Sequence, residues 1–151
     1  MLLLKTIMDK VINNDVLQIA LISLVIAQIC KFIIYYIKEK HINFRHLVSA
    51  GGMPSSHTAM VCGLSTAIGL HIGWDSPLFA LSCICAAIVM YDASGVRRAA
   101  GRQARILNQM LDEFFNKGKF PSDKLSELIG HTPFEVFAGM ILGILVAFVF
   151  Y

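Results

Sequence analysis

The sequence predicts an all-α polytopic membrane protein: a helix bundle with about four spans plus an amphipathic interfacial helix. Apolar residues make up 56% of the 151-residue chain and charged residues only 15%, whereas soluble domains carry about 25% charge. Mean hydropathy is +0.66, and four apolar stretches approach the roughly 20 residues that a spanning helix needs. We therefore expect a single integral-membrane domain over residues 1–151 and exclude a disordered chain, a disulfide scaffold and a nucleic-acid binder.

The four predicted spans are Val16–Ile37, Thr58–Ile72, Pro77–Tyr91 and Phe134–Tyr151. The first is too long for a cleavable signal peptide, and no small-residue cleavage site follows it. Helix starts are marked by capping residues. These signals are a capping box at Asp15 with Gln18, a serine cap followed by proline at Ser76–Pro77, and a full capping box at Thr132–Glu135.

The polar segment between the third and fourth spans contains an amphipathic pattern over Val96–Asn116. Its apolar face consists of Ile106, Leu107, Met110, Leu111 and Phe114, and its basic face of Arg98, Arg102 and Arg105. Gly118 and Pro121 end this helix. Ser122–Ile129 is predicted to form a second short helix that ends at Gly130.

Basic residues are distributed unevenly between the two faces of the predicted bundle. Ten lie in the first and third loops, and only Lys5 and Lys10 lie on the opposite face. The ten are Lys38, Lys40, Arg45, Arg97, Arg98, Arg102, Arg105, Lys117, Lys119 and Lys124. The positive-inside rule therefore places both long loops on the cytoplasmic face of the cell membrane.

The segment Gly51–His57 is the first candidate for chemistry on that face. Two glycines allow a tight turn and close approach to a ligand, and the free N–H groups of the helix that follows favour an anion. Ser55 and Ser56 lie at this helix start, and His57 in its first turn has a ring that can donate a proton. The alternative is a glycine hinge followed by a serine cap, with no catalytic role.

His131 and Glu135 form the second candidate, because residues four apart share one face of a helix. A carboxylate there can fix the tautomer of the imidazole and leave the other ring nitrogen nucleophilic. The alternative is structural: Glu135 completes the capping box begun by Thr132. A capping glutamate can still contact the histidine, so both interpretations stay open. Gly139 and Gly143 indicate close helix packing.

Phosphate recognition favours arginine for its planar fork and lysine as a point charge. The candidate phosphate ligands of this type are Lys38, Arg45, Arg97 and Arg98. Positive-inside anchoring is the alternative for most of the basic residues.

Two further charged residues adjoin apolar spans. Asp92 ends an apolar run, where an unpaired carboxylate is costly, so we expect it to pair with and orient Arg97 or Arg98. Lys31, near the end of the first span, either extends to the membrane interface or points into the same site.

The joint order of these groups resembles a known family: a basic pair, then Pro-Ser-x-His, then His-x-x-x-carboxylate. The chain resembles the divergent branch of the type 2 phosphatidic acid phosphatases, which are related to acid phosphatases and vanadium-dependent haloperoxidases. The resemblance extends from Ala27 onward. It is strongest over Gly51–Ala59 (GGMPSSHTA), Tyr91–Ala104 (YDASGVRRAAGRQA) and Gly130–Gly143 (GHTPFEVFAGMILG).

The wider superfamily has three motifs, and this chain departs from each. Lys38 and Arg45 match the spacing of the first motif, but His46 replaces its proline. Pro54–His57 matches the second motif with a serine in place of glycine. In the third motif His131 matches, Glu135 replaces an aspartate, and Lys124 with Leu125 stands where the superfamily has Ser-Arg. Arg97 or Arg98 is the expected replacement for the missing arginine.

The resemblance implies metal-independent hydrolysis of a lipid phosphomonoester through a phosphohistidine. In that interpretation His131 is the nucleophile, Glu135 orients it, and His57 protonates the leaving alcohol, while Ser55, Ser56 and the basic residues hold the phosphoryl oxygens. No resident cofactor or metal is expected, and vanadate would act only as a phosphate mimic. The expected partners are membrane lipids and a lipid phosphate, with no nucleic acid. A small bundle of four spans also allows a homodimer. The alternative is a non-catalytic protein that binds anionic lipid headgroups.

Overall fold

The computed structural model describes residues 1–40, 52–115 and 130–151. Every regular element within those ranges is a helix. In chain order they are α1 (Leu2–Ile12), α2 (Asp15–Glu39), α3 (Ser56–Ile72), α4 (Pro77–Ser94), α5 (Val96–Phe115) and α6 (Pro133–Phe150). The predicted all-α class is confirmed. The short helix predicted over Ser122–Ile129 lies outside the described residues.

Two of the three predicted helix starts are confirmed, and one is wrong by a residue. The Ser76 side chain accepts a hydrogen bond from Phe79 N–H, and Thr132 with Glu135 forms a full capping box. At the start of α2, however, the cap is Asn14, whose side chain accepts a hydrogen bond from Leu17 N–H. Three eligible capping residues follow one another there, and Asn14 is the one with extended backbone.

The helix α1 was not predicted from the sequence. It has 11 residues, so it is too short for the span pattern by which the other helices were recognised. It precedes α2 directly and carries Lys5 and Lys10.

Helix α3 lies at the centre of the bundle, in contact with α2, α4 and α6. Small residues make this possible: Ala59, Gly63 and Ala67 are buried along it. A side chain at Gly139 or Gly143 of α6 would collide with the α3 backbone. The expected close helix packing at these two glycines is therefore confirmed.

The outer surface of the bundle is apolar, as a hydrocarbon environment requires. Exposed large side chains recur at four-residue spacing on α2 at Leu21, Val25, Ile29 and Ile33. Within the described residues, three helical stretches are long and apolar enough to cross a membrane: Asp15–Lys38, Pro77–Asp112 and Pro133–Phe150. Helix α3, with 17 residues, is only about 25 Å long and is enclosed by the others.

Candidate active site at the helix ends

His131 is the most enclosed of the candidate catalytic residues. Only 3% of its surface is exposed. Its backbone N–H donates to the Ala93 carbonyl at 3.1 Å, which attaches the segment before α6 to the end of α4. The imidazole is therefore held between two helix ends rather than displayed on a loop.

The His131 ring contacts Glu135, as the four-residue spacing predicted. The distance from Nδ1 to the Glu135 Oε2 is 3.1 Å. The same oxygen accepts the Thr132 backbone N–H at 3.0 Å, and Glu135 N–H donates to the Thr132 hydroxyl at 3.3 Å. Glu135 is thus both the capping residue and the hydrogen-bond partner of the imidazole, so the capping interpretation does not exclude the contact with His131. When Nδ1–H donates its hydrogen bond to the Glu135 carboxylate, the other ring nitrogen carries the free electron pair.

Burial lowers the pKa of His131 below its ordinary value. The hydrogen bond and the charge of Glu135 oppose this shift, and the charge of Lys31 adds to it. Because the burial effect is the largest, the shift favours the neutral imidazole, which is the form that a nitrogen nucleophile requires.

The start of α3 meets the start of α6 at this point. The backbone N–H of Ser55 donates to the Glu135 carbonyl at 3.0 Å. The Ser55 hydroxyl caps α3 by accepting from Thr58 N–H and the Thr58 hydroxyl. Ser56 Oγ is buried and has no hydrogen-bond partner among the described residues. Two helix N-termini thus converge next to His131, an arrangement that favours an anion.

A cavity of about 270 Å³ opens beside the buried imidazole. Its lining residues are His57, Ile88, Val89, Asp92, Ala93 and His131. His57, from the first turn of α3, is exposed, whereas Asp92 at the end of α4 is partly buried. The cavity therefore brings together both candidate histidines and the carboxylate that ends the third predicted span.

Residues 12–146 match the family described as "Divergent PAP2 family". The chain belongs to this family. It is also 42% identical over 151 residues to the "Uncharacterized membrane protein YuiD" of Bacillus subtilis (strain 168), a comparison that covers 93% of this chain and 96% of that protein. No solved structure matches the chain.

Lys31 is a residue of this divergent PAP2 protein whose direction the sequence left open. It is 2% exposed, and it interacts electrostatically with both Glu135 and His131. Its ammonium group therefore points into the site instead of extending to the interface. A pattern in the sequence could have shown this, because Ala20, Ser23 and Ala27 form a buried stripe of small residues that Lys31 continues.

Gly52 closes the site from the side of α2. Its φ is +95°, and a side chain there would collide with the Tyr35 ring, one turn beyond Lys31. The Gly52 backbone also slightly opposes the lowering of the His131 pKa. Only glycine combines this backbone conformation with such close approach of Tyr35.

The remaining predicted phosphate ligands do not line this cavity in the described part of the chain. Lys38 is exposed in the last turn of α2. Arg98 lines a different cavity, on α5. The Arg97 backbone lies in the first turn of α5, but its side chain is outside what the structure describes, as is all of Arg45.

Within residues 1–40, 52–115 and 130–151, no group of three or more histidine, cysteine, aspartate or glutamate side chains is placed to hold a metal ion. The four cysteines are free thiols.

Proposed function

We propose that this divergent PAP2 membrane protein is a metal-independent phosphatase that hydrolyses a lipid phosphomonoester through a phosphohistidine. One observation carries the proposal: His57 and His131 line the same cavity, and a carboxylate fixes Nδ1 of His131. Two-step phosphoryl transfer requires a nucleophile, a group that orients it, and a group that first donates and then accepts a proton. His131, Glu135 and His57 are the candidates for these three roles.

In the first step the free nitrogen of His131 attacks phosphorus, and the bond from phosphorus to the ester oxygen breaks. The protonated His57 gives its proton to the departing alkoxide, which leaves as the lipid alcohol. Glu135 stabilises the imidazolium that develops, because its Oε2 lies 3.1 Å from Nδ1. A phosphoramidate on His131 and a neutral His57 remain.

In the second step His57 takes a proton from water, and the resulting hydroxide attacks phosphorus. The phosphorus–nitrogen bond breaks, its electron pair returns to His131, and inorganic phosphate leaves. In the transition state of each step, negative charge develops on the three equatorial oxygens of the phosphoryl group. This charge is stabilised by the two helix N-termini, the buried Lys31 ammonium and the unpartnered hydroxyl of Ser56. The backbone N–H groups near Ser55, together with Lys38, Arg45 and Arg97, belong to the same proposal as phosphate ligands, whereas Arg98 lines the separate cavity on α5.

The substrate in this proposal is a lipid, because the site lies at the end of helices whose outer faces are apolar. Phosphatidylglycerol phosphate, phosphatidic acid and polyprenyl phosphates share the required phosphomonoester and membrane anchor. Vanadate, as a phosphate mimic, should inhibit competitively.

Phosphate release from a panel of these lipids tests the proposal. The wild-type protein should hydrolyse at least one of them, and His131→Ala should abolish turnover while remaining folded, since the residue precedes α6. His71→Ala is the matched control, because His71 is exposed at the opposite end of α3. An acid-labile phosphoryl adduct should form on wild type and not on His131→Ala.

The alternative function is binding of anionic headgroups without catalysis, which the arginine-lined cavity on α5 favours. In that case His57 and His131 would be dispensable for lipid binding, and the arginines would not. Wild-type protein that bound the lipid panel without releasing phosphate would decide for this alternative.

We further propose that the site faces the cytoplasm, because the two loops predicted from the sequence to lie on its side carry ten basic residues and the opposite side carries two. Single cysteines at His41 and Lys119, in a cysteine-free background, should resist an impermeant thiol reagent in intact cells. A cysteine at Lys10 is the control and should react. The reverse labelling pattern would invert the topology.

A further inference from the structure

A second polar cavity, of about 250 Å³, adjoins the candidate active site. Its lining residues are Arg98, Gly101, Arg102, Arg105, Gly130 and Thr132. Among the described residues that line it, three are arginines and none is acidic. The catalytic cavity described above shares no lining residue with it.

The arginines reach this cavity because of their spacing on α5. Arg98, Arg102 and Arg105 stand at positions i, i+4 and i+7, so they lie on one face of the helix. Gly101 belongs to the same face and is buried. The surface of the helix away from the arginines carries the exposed Leu107 and Met110, which suits contact with lipid. Helix α5 thus directs its cationic face at the segment that bears His131.

The two cavities lie on either side of the extended segment Gly130–Thr132. His131 lines the catalytic cavity, and its two neighbours line the arginine cavity. This alternation follows from extended backbone, in which successive residues face opposite ways; Thr132 has φ −71° and ψ 154°. Two residues that line the second cavity, Gly130 and Thr132, are therefore direct chain neighbours of the proposed nucleophile, about 4 Å away by Cα position.

We infer that the substrate carries a second phosphate, which the arginine cavity holds while His131 attacks the first. This inference rests on the proposed function and narrows its substrate class to lipids with a terminal phosphomonoester and a second, internal phosphate joined by a short polyol. Guanidinium groups bind phosphate oxygens through paired hydrogen bonds. A diphosphate does not fit as well, because a single bridging oxygen cannot pass around the segment that separates the two cavities.

The test compares two substrates with identical acyl chains in neutral detergent micelles: phosphatidylglycerol phosphate, which has two phosphates, and phosphatidic acid, which has one. Arg102→Gln should lower kcat/KM for the two-phosphate lipid about tenfold or more and leave phosphatidic acid within about twofold. Arg102→Lys keeps the charge but loses the planar guanidinium that forms paired hydrogen bonds. Its kcat/KM for the two-phosphate lipid should lie between those of wild type and Arg102→Gln. Lys40→Gln is the control, since it removes an exposed cation at the end of α2.

Two results would overturn the inference. The first is an equal loss of kcat/KM on both substrates, which would make Arg102 a general surface cation or a folding residue. The second is an effect that appears only after phosphatidylglycerol is added to the micelles and then affects both substrates. In that case the arginines hold the headgroup of a separate lipid rather than the second phosphate of the substrate.

A binding measurement separates this inference from the proposed function. On a His131→Ala background, short-chain phosphatidylglycerol phosphate should bind more tightly than short-chain phosphatidic acid, and adding Arg102→Gln should remove that preference. If the preference is found but wild type releases no phosphate, the hydrolysis proposal fails and the second-phosphate site stands. If wild type hydrolyses phosphate esters and no preference is found, the second-phosphate site alone fails.

Discussion

The segment Gly130–Thr132 separates two cavities that are built in different ways. On one side, His131 is 3% exposed, its backbone N–H is hydrogen-bonded to the end of α4, and its ring is hydrogen-bonded to Glu135. On the other side, Arg98, Arg102 and Arg105 are exposed on a helix that contacts the rest of the bundle chiefly through α4. The first side has buried groups in fixed contact, and the second has long cationic side chains at the surface.

This difference matches the demands of the two proposed tasks. Attack on phosphorus needs a nucleophile held in one tautomer and one direction, and burial among hydrogen-bonded helix ends provides that. Holding a charged headgroup needs reach and charge more than rigidity. Substitutions on the buried side should therefore affect one-phosphate and two-phosphate lipids alike, whereas those on the arginine side should discriminate between these lipids.

The largest effect is expected at Glu135. Glu135→Gln removes the charge that stabilises the imidazolium, and an amide can stabilise the wrong tautomer, so kcat should fall on the order of 10³-fold. The loss should be the same for one-phosphate and two-phosphate lipids. Glu135→Asp keeps the carboxylate and should retain more activity than Glu135→Gln. The reverse order of the two variants would remove Glu135 from the chemistry and leave it as a cap.

Thermal unfolding separates the capping role of Glu135 from the chemical one. Glu135→Gln should cost roughly 1 kcal/mol through the weakened capping box. If the activity lost in Glu135→Gln returned at low temperature, where the variant is fully folded, the effect would be structural.

The next largest effect is expected at His57, which lines the same cavity as His131 but is exposed. His57→Ala should slow alkyl phosphates about 10²-fold and activated aryl phosphates much less, because a good leaving group needs little protonation. A series of aryl phosphates with increasing leaving-group pKa would measure this as a steeper dependence of rate in the variant. Equal slopes for wild type and variant would contradict the role of His57 as general acid.

A smaller effect is expected at Lys31. Lys31→Met keeps the length of the side chain but removes its charge, and it should lower kcat/KM roughly tenfold. The double variant with Glu135→Gln should lose less than the product of the two single effects, because each charge interacts with the other. Strict additivity would show that Lys31 acts independently of Glu135.

Much of the fold could be predicted from local signals, because caps and apolar periodicity are local. Ser76 and Thr132 mark helix starts that the structure has. The cap of α2 was placed one residue late, since Asn13, Asn14 and Asp15 are chemically similar and only backbone geometry selects among them. Helix α1 lacks the length that makes a span recognisable.

The site was predictable to the extent that one residue spacing fixes one contact. The His131–Glu135 contact follows from four-residue spacing, but the direction of Lys31 depends on which face of α2 meets α3. The small residues Ser23 and Ala27 together indicate which face of α2 is buried, and neither residue indicates it alone. The different locations of Arg98 and His57 depend on how α5 joins α4, which no local pattern specifies.

The smallest effect is a shift in pH dependence, and it tests the buried side most directly. His131 must be neutral to attack, so kcat/KM should fall as the pH drops through its folded-state pKa, which burial places below the ordinary value of about 6.5. The hydrogen bond and charge of Glu135 raise this pKa, and the charge of Lys31 lowers it. The acid limb of the pH–rate profile should therefore move to lower pH in Glu135→Gln and to higher pH in Lys31→Met. Arg102→Gln, on the other side of the segment, should move the limb less than either. Shifts in the same direction for Glu135→Gln and Lys31→Met would mean that the limb reports a group other than His131.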